Sequence, residues 1–180
     1  HTLPLRDRTG KDTHWLTVLY RHDEANDLHN SIKKIYAILK AGGDLNVIQH
    51  LYIDRIDLCE YANSKPFRIR VVNRLNENFD YFYIKRADAS RIYGLELEHL
   101  LSPNRMAYFV SHDTLIEEHI VGIPADAYIK QRITDRHFDE TRLAKEFVKF
   151  NERCWGRLLG DMHSNNFVID VTPDFEETHY

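Results

Sequence analysis

The sequence predicts an α+β fold in which a β-rich stretch is followed by a helical one. Short runs of aromatic and β-branched residues recur between Trp15 and Ile120, separated by turn-forming residues, as strands require. Two segments instead repeat apolar residues at helical spacing: Leu28, Ile32, Ile35 and Leu39, and later Leu143, Phe147, Phe150, Cys154 and Leu158. Hydrophobic residues make up 43% and charged residues 29% of the 180, which suits a chain with a packed core rather than a disordered one.

Taken in order, residues 1–13 are polar and punctuated and read as a frayed arm. Trp15 to Tyr20 forms a strand, Asp23 caps the next helix, and Gly42-Gly43 ends it. Val47 to Ile53 and Phe67 to Leu75 are strands separated by the turn-like run Ala62 to Pro66. Asn76-Glu77-Asn78 is a hairpin loop leading into the strand Tyr81 to Lys85. Ser90 caps a helix from Arg91 to Leu101, which Pro103 stops. Met106 to Ser111 and Thr114 to Ile120 form a second hairpin around His112-Asp113. A short helix over Asp126 to Ile133 and a long one capped by Asp139 complete the helical part. Phe167 to Val171 is a final strand, and Thr172-Pro173-Asp174 begins a turn.

Composition narrows the function. The 24 basic residues against 28 acidic ones leave a net charge of −4, unlike the basic surface of a nucleic-acid binder. No run approaches the ~18 apolar residues of a membrane span. Cys59 and Cys154 form no CxxC pair, so they read as reduced, buried thiols of a cytoplasmic protein. The eleven histidines show no HExxH-like ligand spacing. Glycine is scarce, at seven residues, and none lies between Gly43 and Gly94, so no glycine-rich phosphate loop occurs there.

The most informative segment runs from Leu158 to Ile169. Asp161 is followed five positions later by Asn166 and then by an apolar strand. Phosphoryl transfer needs such a pairing: a carboxylate to orient the attacking hydroxyl and accept its proton, and a neutral oxygen ligand to help hold Mg²⁺. Gly160-Asp161-Met162-His163-Ser164-Asn165-Asn166 resembles the G-D-x-H-x-x-N catalytic loop of the protein-kinase-like superfamily, in the style of its aminoglycoside, choline and fructosamine kinase branch.

The resemblance covers roughly residues 47–171 and implies further roles. In that family a β-rich lobe precedes the loop, and one of its strands ends in a lysine that holds the nucleotide phosphates. Tyr83-Ile84-Lys85 fits this pattern. The next helix carries a glutamate that pairs with the lysine; here it is Glu96 or Glu98, with Glu96 slightly preferred. Leu115 to Gly122 is similar to the strand and hinge of such kinases, so backbone groups from Glu118 to Ile120 are expected at the adenine. Glu117 and Glu118 have a plainer reading as surface residues near the hinge. The long helix from residue 139 matches the one beneath the catalytic loop.

Three departures stand out. Cys59 to Lys65 occupies the place of the missing glycine-rich loop, and Leu159 stands where many relatives have His. The second metal-binding Asp is expected beyond Tyr180, since Asp174-Phe175-Glu176 comes too early. The expected organisation is therefore a strand–helix extension (1–46), a kinase-like N-lobe (47–121) and the beginning of a C-lobe (122–180) of a longer protein. The expected activity is ATP- and Mg²⁺-dependent phosphoryl transfer to a hydroxyl, on a small molecule rather than a protein. Asp161 is the base, Asn166 the metal ligand and Lys85 the phosphate clamp. The alternative is a catalytically inactive kinase-like binding or scaffold module.

Overall fold

A computed structural model gives the protein an α+β architecture. It describes residues 1–102, 106–132, 140–157, 160, 162–164, 166–169, 172–173 and 178–179. The chain divides into two compact units, His1–His119 and Ile120–Tyr180.

The first unit is built on a seven-stranded sheet, antiparallel at every pairing. Its strands are β1 (Thr2–Arg6), β2 (Asp12–Val18), β3 (Leu51–Cys59), β4 (Phe67–Asn73), β5 (Phe79–Arg86), β6 (Tyr108–Ser111) and β7 (Thr114–Glu118). Their order is β1-β2-β3-β4-β5-β7-β6. The residues expected to fray thus form a hairpin, and the strand–helix extension shares one sheet with strands β3 to β7. Asp7 makes the β1–β2 turn: its Oδ1 accepts from the Thr9 amide at 2.8 Å and the Lys11 amide at 3.0 Å.

Helix α1 (His22–Lys40) covers one face of the sheet. Asp23 is not its cap; Arg21 holds that position, and Asp23 lies in the first turn, where its charge favours the helix dipole. The apolar stripe of α1 packs where its spacing says it must. Ile32 is buried with Leu51, Ile53, Ile56, Ile69, Val71, Phe82 and Ile116, and Leu28, Ile35 and Leu39 border them. Residues 45–50, expected as strand from Val47 onward, form a 3₁₀ turn because the Asp44 carboxylate accepts from the Asn46 amide at 2.9 Å.

A bulge between Ile53 and Arg55 shapes the opposite face. Before it, Leu51 and Ile53 face the core; after it, Ile56 does. The parity change turns Arg55 and Asp57 to the other side. There, cross-strand neighbours in register run Thr17, Asp57, Arg68, Tyr83, Glu117 and Tyr108 across six strands. One face of the sheet is therefore apolar and the other carries charge.

Helix α2 (Ala89–Leu101) connects β5 to β6, and its cap is Asp88 rather than Ser90: the Asp88 Oδ1 accepts from the Ser90 amide at 2.9 Å. Strand β7, with Leu115 and Ile116 buried, takes the interior position beside β5 and leaves short β6 at the edge.

The second unit contains α3 (Ala125–Arg132), α4 (Glu140–Gly156) and the short strands β8 (Ile123–Pro124), β9 (Val168–Ile169), β10 (Thr172–Pro173) and β11 (Thr178–His179). Ala125, Tyr128 and Ile169 form its core, bordered by Leu143 and Phe147 of the α4 stripe and by Phe167. The Phe150 and Phe167 rings lie 4.6 Å apart between centroids. Gly122 allows β8 and β9 to approach, since a Cβ there would sit 3.0 Å from the Val168 side chain and 3.1 Å from the Ile169 carbonyl. The expected helix stop Pro103, the expected cap Asp139, and Leu158 lie outside the described residues, as does Asp174 of the expected turn. Thr172 and Pro173 pair as a strand with Thr178 and His179.

Candidate active site

Lys85 stands near the end of β5, one of the central strands. Antiparallel pairing sets Lys85 opposite Leu115 and Tyr83 opposite Glu117, so Lys85 and Glu117 are diagonal neighbours on one face. Lys85 Nζ lies 2.7 Å from Glu117 Oε2. The other side of that carboxylate is taken by Arg91, in the first turns of α2, with Nε 2.8 Å from Oε1 and Nη2 3.2 Å from Oε2. One carboxylate thus ties a strand lysine and a helix arginine together, two cations against one anion. Glu117 is only 4% exposed, which replaces the reading of it as a surface residue.

The electrostatics reflect that count. Burial pushes the Glu117 carboxyl up, but the hydrogen bonds and charge of Arg91, then those of Lys85, outweigh it, and the group titrates below the usual glutamate range. Burial pulls Lys85 below the usual lysine range against the pull of Glu117, with Arg91 adding repulsion. Because the folded Glu117 value is depressed, its contribution to stability is complete above the unfolded value of about 4.3 and is lost as pH falls through the folded one. Glu117→Gln, read by urea denaturation at neutral pH, is expected to cost about 1–3 kcal/mol, since two cations lose their shared negative charge and one of its two acceptor oxygens. It should also flatten the acid limb of the stability profile.

Beside Lys85 opens a cleft of about 960 Å³. Its wall includes Lys85 and Arg86 from β5 and Asp88 before α2; Ser64, Lys65 and Phe67 enter from the β3–β4 connection and the start of β4. That connection is the segment standing in place of a glycine-rich loop. It is closed by the Cys59 amide donating to the Pro66 carbonyl at 3.0 Å and by the Lys65 amide donating to the Ala62 carbonyl at 2.9 Å.

The other expected site residues fall in different places. Glu96 is exposed on α2 and accepts a hydrogen bond from the Tyr108 hydroxyl. That bond, with a little burial, pushes the hydroxyl up to about 12. Glu98 is half-buried on the same helix. The lysine partner expected from α2 is supplied instead by Glu117 of β7, because the diagonal position on a neighbouring strand lies nearer than the helix. Glu118 binds structure rather than presenting a free edge: Oε2 lies 2.5 Å from Lys40 Nζ and Oε1 accepts from the Ala107 amide at 2.5 Å. The Glu118 amide donates to the Ala107 carbonyl and that of His119 to the Tyr81 carbonyl. Ile120 begins the second unit and is half exposed.

In that unit the Asp126 amide of α3 donates to the Ser164 carbonyl and the Ala125 amide to the Phe167 carbonyl, each at 3.2 Å. These bonds hold the turn in which the Asn166 amide donates to the His163 carbonyl at 2.8 Å, just before β9. Asp161 lies outside the described residues.

Sequence reading missed Glu117 as a partner and Arg91 altogether. The available signal was a glutamate directly after Leu115-Ile116 inside a strand, where a buried charge demands a partner. Both cysteines are buried and neither forms a disulfide among the described residues, and no described helix is long and apolar enough to cross a membrane. Compared with known proteins, the chain matches no family model, no curated protein and no solved structure.

Proposed function

We propose that this chain acts as an ATP- and Mg²⁺-dependent phosphotransferase that moves the γ-phosphoryl group to a hydroxyl on a small molecule. One observation carries the reading: a lysine near the end of a central strand, fixed by a buried carboxylate, lines a cleft beside the β3–β4 connection. A flexible ammonium positions phosphates only when its stem is fixed, and Glu117 does that here. The loop Gly160 to Asn166 before β9 supplies the second half of the chemistry.

In this mechanism Lys85 holds the nucleotide phosphates. Asp161 orients the acceptor hydroxyl and takes its proton as the new O–P bond forms and the bond from the γ-phosphorus to the β,γ-bridging oxygen breaks, leaving ADP. Mg²⁺ prefers hard oxygen donors, and the Asn166 side-chain oxygen is of that type. When bound, the metal supplies charge neutralisation on the phosphates. The proposed adenine contacts lie along the backbone from Glu118 to Ile120, at groups other than the Glu118 and His119 amides, which already donate to Ala107 and Tyr81. We place the protein in the cytoplasm, where reduced thiols and ATP coincide.

The absence of glycine between Gly43 and Lys85 favours one second reading, an inactive kinase-like binding module. Calorimetric titration of the full-length protein with ATP in the presence of Mg²⁺ tests the common ground. Saturable binding that Lys85→Ala weakens at least about tenfold is expected, since a charge-assisted phosphate contact is lost. No binding by the wild type overturns the proposal.

A further inference from the structure

The face of the sheet opposite the Lys85–Glu117 pair carries a cavity of about 380 Å³. It opens where the last turns of α1, the 3₁₀ turn and the β4–β5 hairpin meet. Register brings its wall together: Asn73 pairs with Leu51 across β3 and β4, and Asp80 pairs with Val71 across β4 and β5. Leu51 and Val71 belong to the core under α1, so Asn73 and Asp80 share that face. Asp80 and Lys85 stand five residues apart on β5, which sets them on opposite faces and about 17 Å apart along the strand. A ligand held here is therefore not one that Lys85 could hold.

The floor is apolar, formed by Val47, Leu51 and Val71. The rim offers both senses of hydrogen bond. Asp80 Oδ2 is an acceptor with capacity left: the Tyr36 hydroxyl donates to it at 3.3 Å and Lys40 Nζ lies 3.7 Å away, whereas Lys40 sits 2.5 Å from Glu118. Asn73 and Asn76 supply donors. The Asn73 Oδ1 accepts from the Leu75 amide at 2.9 Å, and the Asn76 Oδ1 from the Asn78 amide at 3.0 Å. Each side-chain oxygen is thus committed to the backbone, and the two Nδ2 groups make no hydrogen bond among the described residues.

Charge then selects the ligand. An incoming ammonium would meet Asp80, but also the Lys40 ammonium 3.7 Å from the same oxygen. An incoming carboxylate or phosphate would face Asp80 itself, with Lys40 committed to Glu118. A hydroxyl is donor and acceptor at once: it can donate to Asp80 while accepting from an asparagine amide. Several hydroxyls on a ring whose C–H face rests on Val47, Leu51 and Val71 satisfy rim and floor together. We infer that this cavity binds a neutral cyclic polyol, a hexose or a cyclitol. The inference does not rest on the phosphotransferase reading, which uses the other face of the sheet.

The test is calorimetric titration of the protein with D-glucose, D-galactose, D-mannose and myo-inositol, beside cyclohexanol, D-glucosamine and D-gluconate. Saturable binding is expected for at least one of the four neutral polyols, tighter than for the apolar, cationic and anionic controls. Asp80→Asn keeps the size of the side chain and should weaken that binding by roughly tenfold, since a bond to a charged acceptor becomes one to a neutral amide. Asn76→Ala should weaken it by about threefold, as one neutral hydrogen bond is worth. Asn76 is exposed in the hairpin loop, so its loss separates a binding defect from a folding defect. Absence of saturable binding by all four polyols overturns the inference. So does a control that binds as tightly, or wild-type affinity in either variant. None of these outcomes touches the reading of Lys85.

Discussion

Asp57→Ala is expected to destabilise the protein by about 3–5 kcal/mol, measured by urea unfolding at neutral pH. Asp57 is 0% exposed, in the middle of the charged face of the sheet. Its Oδ1 accepts from the Thr17 hydroxyl at 2.9 Å, and its Oδ2 from Arg55 Nε at 3.0 Å and Arg68 Nη2 at 2.9 Å. The Arg68 guanidinium also lies over the Trp15 ring, 4.2 Å from its centroid. Remove the carboxylate and that guanidinium stays against Trp15, desolvated and without its counter-charge. The cost is the stranded charge more than the lost bond. Asp57→Asn keeps the volume and isolates the charge. The sharper comparison is Asp57→Leu combined with Arg55→Met and Arg68→Met. Replacing the carboxylate and both arginines by apolar groups should recover most of the loss, since well-packed apolar groups match buried ions. A loss below about 1 kcal/mol for Asp57→Ala would mean the network is solvated, contrary to its burial.

The same face explains how much of the protein was legible in its residues. Elements announced by local pattern were found: the Leu28 to Leu39 stripe of α1, the hairpin turn at 76–78, and β5 with Lys85 near its end. Those signals are local because helical spacing and β-branched runs act within a few residues. The β1–β2 hairpin was illegible because β1 is an edge strand. With one side unpaired and little to bury, it carries polar residues and Pro4, which resemble a loop. Asp57 and Glu117 were illegible for a different reason. A lone acidic residue in a strand reads as solvent-facing until its partners are known, and they come from other strands or α2: Arg68 and Thr17 for one, Lys85 and Arg91 for the other. Arg55, two residues from Asp57, joins the cluster only because the bulge fixes which face both of them occupy.

The position of β7 between β5 and β6 shows the same limit in the candidate site. Sequence order puts α2 next after Lys85, so a helix glutamate is the natural partner to expect. Sheet order puts β7 next to β5, and Glu117 takes the place. The helix contributes an arginine instead, which makes the cluster more cationic than a lysine–glutamate pair alone and better suited to an anionic ligand.

Asp161→Ala is expected to reduce phosphoryl transfer by roughly a hundred- to ten-thousandfold, the range a positioned general base contributes. The measurement is transfer of labelled phosphate from ATP to the hydroxyl acceptor by the full-length protein. Mg²⁺-ATP affinity should change far less than turnover, because the carboxylate acts chiefly on the acceptor hydroxyl, whose proton it takes only as the O–P bond forms. Lys85→Ala should show the opposite split, with its main loss in nucleotide affinity. Asp161→Asn discriminates further: it preserves size and hydrogen bonding but cannot take the proton, so it should fall nearly as far as alanine. Unchanged turnover in Asp161→Ala would sink the assignment of the base. A wild type that binds ATP through Lys85 and transfers nothing would instead favour the binding module, since Lys85, fixed by Glu117, can hold phosphates without any base at Asp161.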